Sequence, residues 1–367
     1  MRGRRRDQVS MLGFLSLEER IPAQHPLRMI KRLADEALAR VSPQLDRMYS
    51  HRGRHSIPSE QLLKGTLLMS LYSIRSERQL CEQLEYNLLF RWFLDLDGVD
   101  PVFDASTFSK NRTRFLESGV GEGLFDALVA EAKDRGLLSQ EHFTVDGTLI
   151  EAAASLKSLR RKDGTPPTMH DDDPGNPSVD FHGERRSNAT HQSTTDDEAL
   201  LAKKGKGKEA KLSFCGHALM ENRHGVLVDF QITRATGTAE RDMVPELLDA
   251  AQVRDFRPKT LGGDKGYDTR GCVEAIRERG VTPHIAAKRS GGAIDGRTTR
   301  HQTYRLSQRI RKRVEEIFGW MKTIGGFRRT RFIGVARTGL AGYLVATAYN
   351  LLRLGRLMTS PPSVAVA

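Results

Sequence analysis

The sequence has little cysteine and no long apolar run. Its three cysteines, Cys81, Cys215 and Cys272, are far apart among 367 residues and form no CxxC pair. This spacing argues against a zinc site and against a disulfide framework, and it is typical of a protein in a reducing cytoplasm. The apolar segment 340–352 is too short to span a bilayer and is interrupted by Asn350. We therefore expect a soluble intracellular protein with no membrane partner.

Positive charge is abundant. Lysine and arginine outnumber aspartate and glutamate by 58 to 46, which gives a net charge of +12. A basic balance attracts polyanions, of which nucleic acid is the commonest, although a merely soluble basic protein can carry the same charge. The clustering of the charge is more informative than its sum. Dense basic groups occupy residues 2–6, 203–208, 309–313 and 328–331.

The first third of the chain has a helical pattern. Residues 1–25 resemble a basic arm, and 26–137 are expected to form a helical domain for DNA binding or oligomerisation. Asp104 can cap a helix that exposes the basic side chains of Lys110, Arg112 and Arg114. Such a helix is compatible with a helix-turn-helix reader of DNA, and a helical bundle with a polar outer face explains the pattern equally well.

Residues 138–358 alternate between strand and helix patterns. The order is a strand at 143–152, a hairpin at 211–233, then helix, strand, helix, strand and helix, which predicts a mixed α/β sheet. The polar segment 157–208 lacks the apolar content of a core, so we expect a long loop or partly disordered insertion. Its Lys206 and Lys208 are candidate contacts to the phosphate backbone, with a solvated charge run as the alternative.

Three carboxylates stand out in this second region. Asp146 lies among apolar residues of the first strand, and an acid there is unfavourable unless it is paired, protonated or bound to a metal. Asp264 follows a later strand, and Glu315 lies on a predicted helix over 311–324. Arg311 and Lys322 share a helical face with Glu315, and that face is separate from the apolar stripe. Carboxylates suit Mg²⁺ or Mn²⁺, but 46 acids allow many triplets, and the helix face could simply be solvated.

The chain resembles bacterial insertion-sequence transposases of the DDE class. The matching stretches are Phe-Thr-Val-Asp-Gly-Thr around Asp146, Gly-Gly-Asp-Lys-Gly-Tyr-Asp around Asp264, and Arg-Lys-Arg-Val-Glu-Glu-Ile-Phe-Gly-Trp-Met-Lys around Glu315. The last resembles a Tyr-Arg-Glu-Lys signature with two, three and six intervening residues. Arg311, Glu315 and Lys322 fit it.

The signature differs at its first position, where Gln308 replaces the tyrosine. Glu316 does not keep the spacing, so Glu315 is the expected member of the site. The N-terminal stretches Ile-Pro-Ser-Glu-Gln-Leu-Leu-Lys-Gly and Arg-Ser-Glu-Arg-Gln-Leu-Cys also resemble these transposases, so the likeness covers most of residues 20–355.

The resemblance implies a fold, a site and an activity. The fold would be a ribonuclease-H-like mixed sheet with flanking helices, preceded by an all-α domain. Asp146, Asp264 and Glu315 would bind Mg²⁺ or Mn²⁺, while Arg311 and Lys322 would contact DNA near the cut.

The activity would be cleavage and strand transfer at the terminal inverted repeats, with a second duplex as target. The protein would act as a homo-oligomer in the bacterial cytoplasm, at the nucleoid when bound to DNA. A nuclease of the same fold without strand transfer and a non-catalytic DNA-binding regulator are the alternatives.

Overall fold

The computed structural model describes residues 16–50, 56–164, 186–205 and 207–359. Its helices are α1 (Leu17–Arg20), α2 (Pro26–Asp46), α3 (Ser59–Leu71), α4 (Glu77–Tyr86), α5 (Leu88–Phe93), α6 (Ser106–Glu117), α7 (Val120–Asp134), α8 (Ala239–Asp242), α9 (Val244–Val253), α10 (Arg270–Glu278), α11 (Gly296–Thr299), α12 (Gln302–Ile310), α13 (Arg313–Thr323) and α14 (Val335–Thr359). Its strands are β1 (His142–Glu151), β2 (Leu159–Arg161), β3 (His191–Ser193), β4 (Leu200–Ala202), β5 (Lys211–Glu221), β6 (Val226–Arg234), β7 (Thr260–Gly263) and β8 (Thr282–Ile285).

The N-terminal region is helical, as the sequence predicts. Leu62, Leu63, Leu67 and Leu68 of α3 are fully buried, which fits the nearly continuous apolar character of that segment. Hydrogen bonds from backbone amides to side chains fix two helix starts. Ser76 Oγ accepts from the amide of Gln79 at 3.1 Å, and Asp104 Oδ1 accepts from that of Ser106 at 2.7 Å.

The main sheet is mixed and runs in the order β6, β5, β1, β7, β8. β1 pairs antiparallel with β5 and parallel with β7, and β7 pairs parallel with β8. The hairpin of β5 and β6 supplies the antiparallel half, and the two parallel connections pass through helices. This is the predicted order of elements, and it matches a ribonuclease-H-like sheet with β1 at its centre.

The polar insertion contains more structure than the sequence predicts. Within 157–208, β2 pairs with β3, and β4 joins the main sheet by pairing with the start of β5. The loop prediction was wrong for these flanks because Leu159, Ser193, Asp196 and Ala199 are buried despite the polar composition around them. Residues 165–185 and Lys206 lie outside the described part of the chain.

The predicted helix over 311–324 is α13, which begins two residues later than predicted and leaves Arg311 in the turn before it. α12 ends at Ile310 and α13 begins at Arg313, with a tight turn in which the amide of Glu315 bonds to the carbonyl of Lys312 at 3.1 Å. The break lets α12 pack on β8 while α13 packs on β1. The apolar stripe is confirmed within α13, where Val314, Ile317 and Met321 are buried.

The last helix, α14, connects the two regions of the molecule. It packs against β6 on one side and against α2, α3 and α7 on another. Asn350, which interrupts the apolar pattern, is fully buried; its side chain accepts from the amide of Leu227 at 2.9 Å and donates to the Leu227 carbonyl at 2.8 Å. One continuous apolar core therefore includes the N-terminal helices and the sheet. Within the described ranges, no helix is long and apolar enough to cross a membrane.

Candidate active site

Asp146 lies in β1, and Asp264 directly follows β7, the parallel neighbour of β1. Thr144 of β1 pairs with Gly262 of β7, so two residues further along the same register Asp146 lies beside the position of Asp264. β7 ends at Gly263, however, and β1 continues to Glu151. The edge of β1 is therefore open at the point where the two acids meet.

Asp146 is a largely buried acid with an altered proton affinity. Burial raises the pKa of its carboxyl to about 7, and the negative charges of Glu240 and Asp264 act in the same direction. A hydrogen bond from the amide of Gly147 at 2.8 Å and the positive charge of Arg311 lower the pKa in part. An acid in this environment gains from a nearby cation, which would favour its charged form.

Asp264 caps the short 3₁₀ turn that follows β7. Its Oδ1 accepts from the amide of Gly266 at 2.6 Å, which fixes the carboxylate at the strand exit. Asp268, four residues later, is fully buried and has a different task. It accepts from the amides of Lys288, Ala293 and Ile294 at 2.7 to 3.0 Å, and so holds the loop after β8 in place.

Glu315 is exposed on the first turn of α13, a helix that packs against β1. Across the residues that the structure describes, no three His, Cys, Asp or Glu side chains are arranged to hold a metal ion together. The expectation that Asp146, Asp264 and Glu315 share one or two ions therefore stays a prediction.

Arg311 lies in the turn between α12 and α13, and Gln308 orients it. The Arg311 Nε donates to Gln308 Oε1 at 3.0 Å, while Gln308 Nε2 donates to the carbonyl of His284. Tyr304, one turn earlier, instead donates its hydroxyl to the carbonyl of Ile285 at 3.1 Å. At the position where the signature has a tyrosine, Gln308 thus links Arg311, whose charge acts on Asp146, to the backbone of β8.

Lys322, in the last turn of α13, belongs to a second group of cations. Burial and the charges of Lys204 and Arg328 lower the pKa of its ammonium group. Lys208 is exposed in the connection from β4 to β5 that also contains Lys204. These cations form a basic group near Glu151, at the end of β1, which suits a bound polyanion.

The three basic residues predicted on α6 differ from one another. Lys110 and Arg114 are exposed, as expected. Arg112 is not, because it forms an ion pair with Glu77 at 2.7 Å and stacks over the ring of Phe332 at 4.5 Å. The helical period places Arg112 on the side that packs against the C-terminal segment, so its predicted exposure was wrong.

Comparison with known proteins identifies the family. A family model described as Transposase DDE domain matches residues 139–351, and a model described as Transposase domain (DUF772) matches residues 15–114. The chain belongs to the DDE transposases. No curated protein matches this transposase in sequence.

Two solved structures illustrate the similarity. A piggyBac transposase synaptic complex with hairpin DNA is 9% identical, with 91% of this chain and 76% of that chain covered and a TM-score of 0.38. A Mos1 transposase paired-end complex with the left transposon end is 12% identical, with 75% and 82% covered and a TM-score of 0.21. These scores are low, so the assignment rests on the family models.

DDE transposases use divalent metals, and the residues of this transposase fit such an ion. The carboxylate of Asp146 lies near that of Asp264, at the point where β7 ends. The hydroxyl of Tyr267, which is buried at the same place, has no hydrogen-bond partner within the described ranges. Hard cations such as Mg²⁺ prefer carboxylate and water oxygens.

Sequence reasoning missed Glu240, on the short helix α8. Burial and the charge of Asp264 raise the pKa of its carboxyl, and its own charge acts on Asp146. In the sequence it is one acid of a helical segment between β6 and β7, with no strand pattern around it. Only the fold brings it to Asp146.

Proposed function

We propose that this transposase cleaves the ends of its insertion sequence and joins the 3′-hydroxyls to target DNA, with Mg²⁺ or Mn²⁺ bound by Asp146, Asp264 and Glu315. The observation that carries the proposal is the pair of carboxylates at the open edge of β1, with the positive charge of Arg311 acting on Asp146. A divalent cation there would activate the attacking water or hydroxyl and stabilise the leaving oxygen.

The chain's own residues would bind and orient the DNA. Arg311, oriented by Gln308, would contact a phosphate next to the acids, and Lys322 would contact one on the opposite side. Lys206 and Lys208 would extend this backbone contact. Such contacts position the duplex without reading its sequence.

Recognition of the terminal repeats would come from the N-terminal helices, through Lys110 and Arg114 on α6. Arg112, paired with Glu77, would instead hold α6 against the C-terminal segment. Because an element has two ends, we infer that at least two copies of the chain act together at the bacterial nucleoid.

The acids are tested by exchanging carboxylate for amide. Asp146→Asn and Glu315→Gln should each reduce Mg²⁺-dependent cleavage by more than about 100-fold, since even outer-shell partners of a metal contribute about 10–100-fold. The substrate is a labelled duplex copied from the DNA flanking the coding region, with a plasmid as target. Binding of the same duplex should change little.

Glu316→Gln is the matched control, because Glu316 adjoins Glu315 on the exposed side of α13 and fails the signature spacing. Near-normal cleavage by either test variant would remove that residue from the site. Cut DNA without a joined product would favour a nuclease. No cleavage by the wild-type protein in either metal would favour a regulator.

A further inference from the structure

Glu240 occupies space that the side chain of any other residue at position 147 would need. An ideal Cβ built on Gly147 would lie 2.6 Å from Glu240 Oε1 and 2.7 Å from its Cδ, well inside van der Waals contact. Gly147 directly follows Asp146 in β1. Because Gly147 has no side chain, the Glu240 carboxylate can approach the strand that carries Asp146.

The early end of β7 brings the two carboxylates together. Side chains at 146 and 147 point to opposite faces of a strand, so Asp146 and Glu240 approach β1 from different sides. Beyond Gly263 no β7 backbone covers the edge of β1, and Asp146 Oδ1 turns onto that edge to accept from the Gly147 amide. The negative charge of Glu240 raises the pKa of Asp146 more than the negative charge of Asp264 does.

Tyr267 gives an independent indication of a ligand. Its side chain is fully buried, and its hydroxyl lacks a hydrogen-bond partner in the described part of the chain. The carboxylates that act on it are those of Glu240, Asp146 and Asp264. An unpaired buried hydroxyl is unfavourable, and a polar ligand at this point would satisfy it.

We propose that Glu240 is a fourth acidic residue of the site, which positions a divalent cation bound by Asp146 and Asp264 through a water of the ion's hydration shell. Mg²⁺ usually keeps several of its waters, so a nearby carboxylate can act on the ion without binding it directly. The Tyr267 hydroxyl is the natural partner of such a water. The inference rests on the proposed function, because it requires the ion at Asp146 and Asp264.

The test measures Mn²⁺ binding to the full chain by electron paramagnetic resonance, with and without the end duplex, at one pH and salt concentration. Glu240→Gln should weaken Mn²⁺ binding by about 10-fold, the effect expected of an outer-shell partner. Asp242→Asn is the matched control, because Asp242 is on the same short helix and, like Glu240, is exposed. It should bind as the wild-type protein does.

Two more variants separate metal positioning from folding. Gly147→Ala changes no carboxylate but displaces Glu240, so it should weaken Mn²⁺ binding to a similar extent. Glu240→Asp keeps the charge and should restore part of the affinity. The melting temperature of each metal-free variant should stay within a few degrees of that of the wild-type protein.

The outcomes distinguish this inference from the proposed function. Wild-type affinity in Glu240→Gln, together with loss of binding in Asp146→Asn, would overturn the role of Glu240 and leave the proposed site intact. Unchanged binding in Asp146→Asn would overturn both. A wild-type protein that binds no Mn²⁺ in either condition would also contradict both.

Discussion

At the scale of single residues, the main feature of the site is the carboxylate of Asp146, whose charged form is unfavourable in its largely buried position. Burial raises the pKa of Asp146 from 3.8 to about 7, so between these values the folded protein holds a proton that the unfolded chain has released. The free energy of unfolding therefore falls as pH rises through this window and is lowest, for this group, above pH 7.

This shift predicts a pH-dependent effect of Asp146→Asn on the metal-free protein. At pH 8 the variant should be more stable than the wild-type protein, by on the order of 2 kcal/mol. One pKa unit corresponds to about 1.4 kcal/mol, and water that enters the site makes the pKa shift of Asp146 smaller. The difference should shrink towards pH 5. Urea unfolding at both pH values measures it, and a difference that grows on acidification would contradict the pKa shift.

The sequence predicts some of these residues better than others. Asp146 is conspicuous because it interrupts an apolar strand, and Asp264 because it stands at a strand exit. Glu240 has no such context, since its neighbour Gly147 is far away in sequence and the contact depends on the early end of β7. Arg112 shows the opposite error, because a basic residue at a plausible surface position is used for packing.

At the scale of elements, α14 supplies hydrogen-bond partners to the free edge of strand β6. β6 pairs with β5 on one side only, and on its other side Asn350 of α14 bonds to both backbone groups of Leu227. A buried polar side chain is thus used as a substitute for a short piece of neighbouring strand. The apolar residues around it pack the helix against the sheet.

Asn350→Leu should therefore destabilise the protein by about 2–4 kcal/mol, because two buried backbone groups lose their partners. Gly339→Ala in the same helix is the control, since an added Cβ there meets nothing within 4 Å and alanine favours a helix. Urea unfolding monitored by circular dichroism compares the two. A loss below about 0.5 kcal/mol in Asn350→Leu would show that water or backbone movement replaces the bonds.

Element patterns in the sequence predict the order of the main sheet but not every boundary. The apolar strands, the hairpin and the alternating helices are visible because their periods are regular. The break between α12 and α13 is not, since Arg311 and Lys312 are compatible with a helix and the turn serves packing on two different strands. β2 to β4 are also missed, because they are short strands in a polar segment whose order depends on contacts with the main sheet.

At the scale of the whole molecule, the helical region and the sheet pack against each other through side-chain contacts. Arg254 of the α/β region pairs with Asp126 at 2.6 Å, and Phe125 packs against Tyr343 with ring centroids 5.7 Å apart. Removing the N-terminal helices would expose these faces. The domain boundaries at 25 and 137 remain predictions, and end recognition is better tested by surface substitutions than by truncation.

We expect Lys110→Ala combined with Arg114→Ala to reduce the preference for end duplex over scrambled duplex by about 10-fold, since a lost base contact is worth about 1–3 kcal/mol. Both affinities are measured at one salt concentration. Arg257→Ala with Arg277→Ala removes the same charge from exposed positions of the α/β region and should weaken both duplexes equally or not at all. Unchanged preference in the α6 variant would move recognition to another part of the chain.

The position of α14 also has a consequence for synthesis. Its partners α2, α3 and α7 leave the ribosome long before it does, and at about 5–20 residues per second the delay is on the order of ten seconds or more. Until then their apolar faces have no final cover. The nascent chain should therefore depend on chaperones during translation, and ribosomes that stop before α14 should release a polypeptide that is degraded.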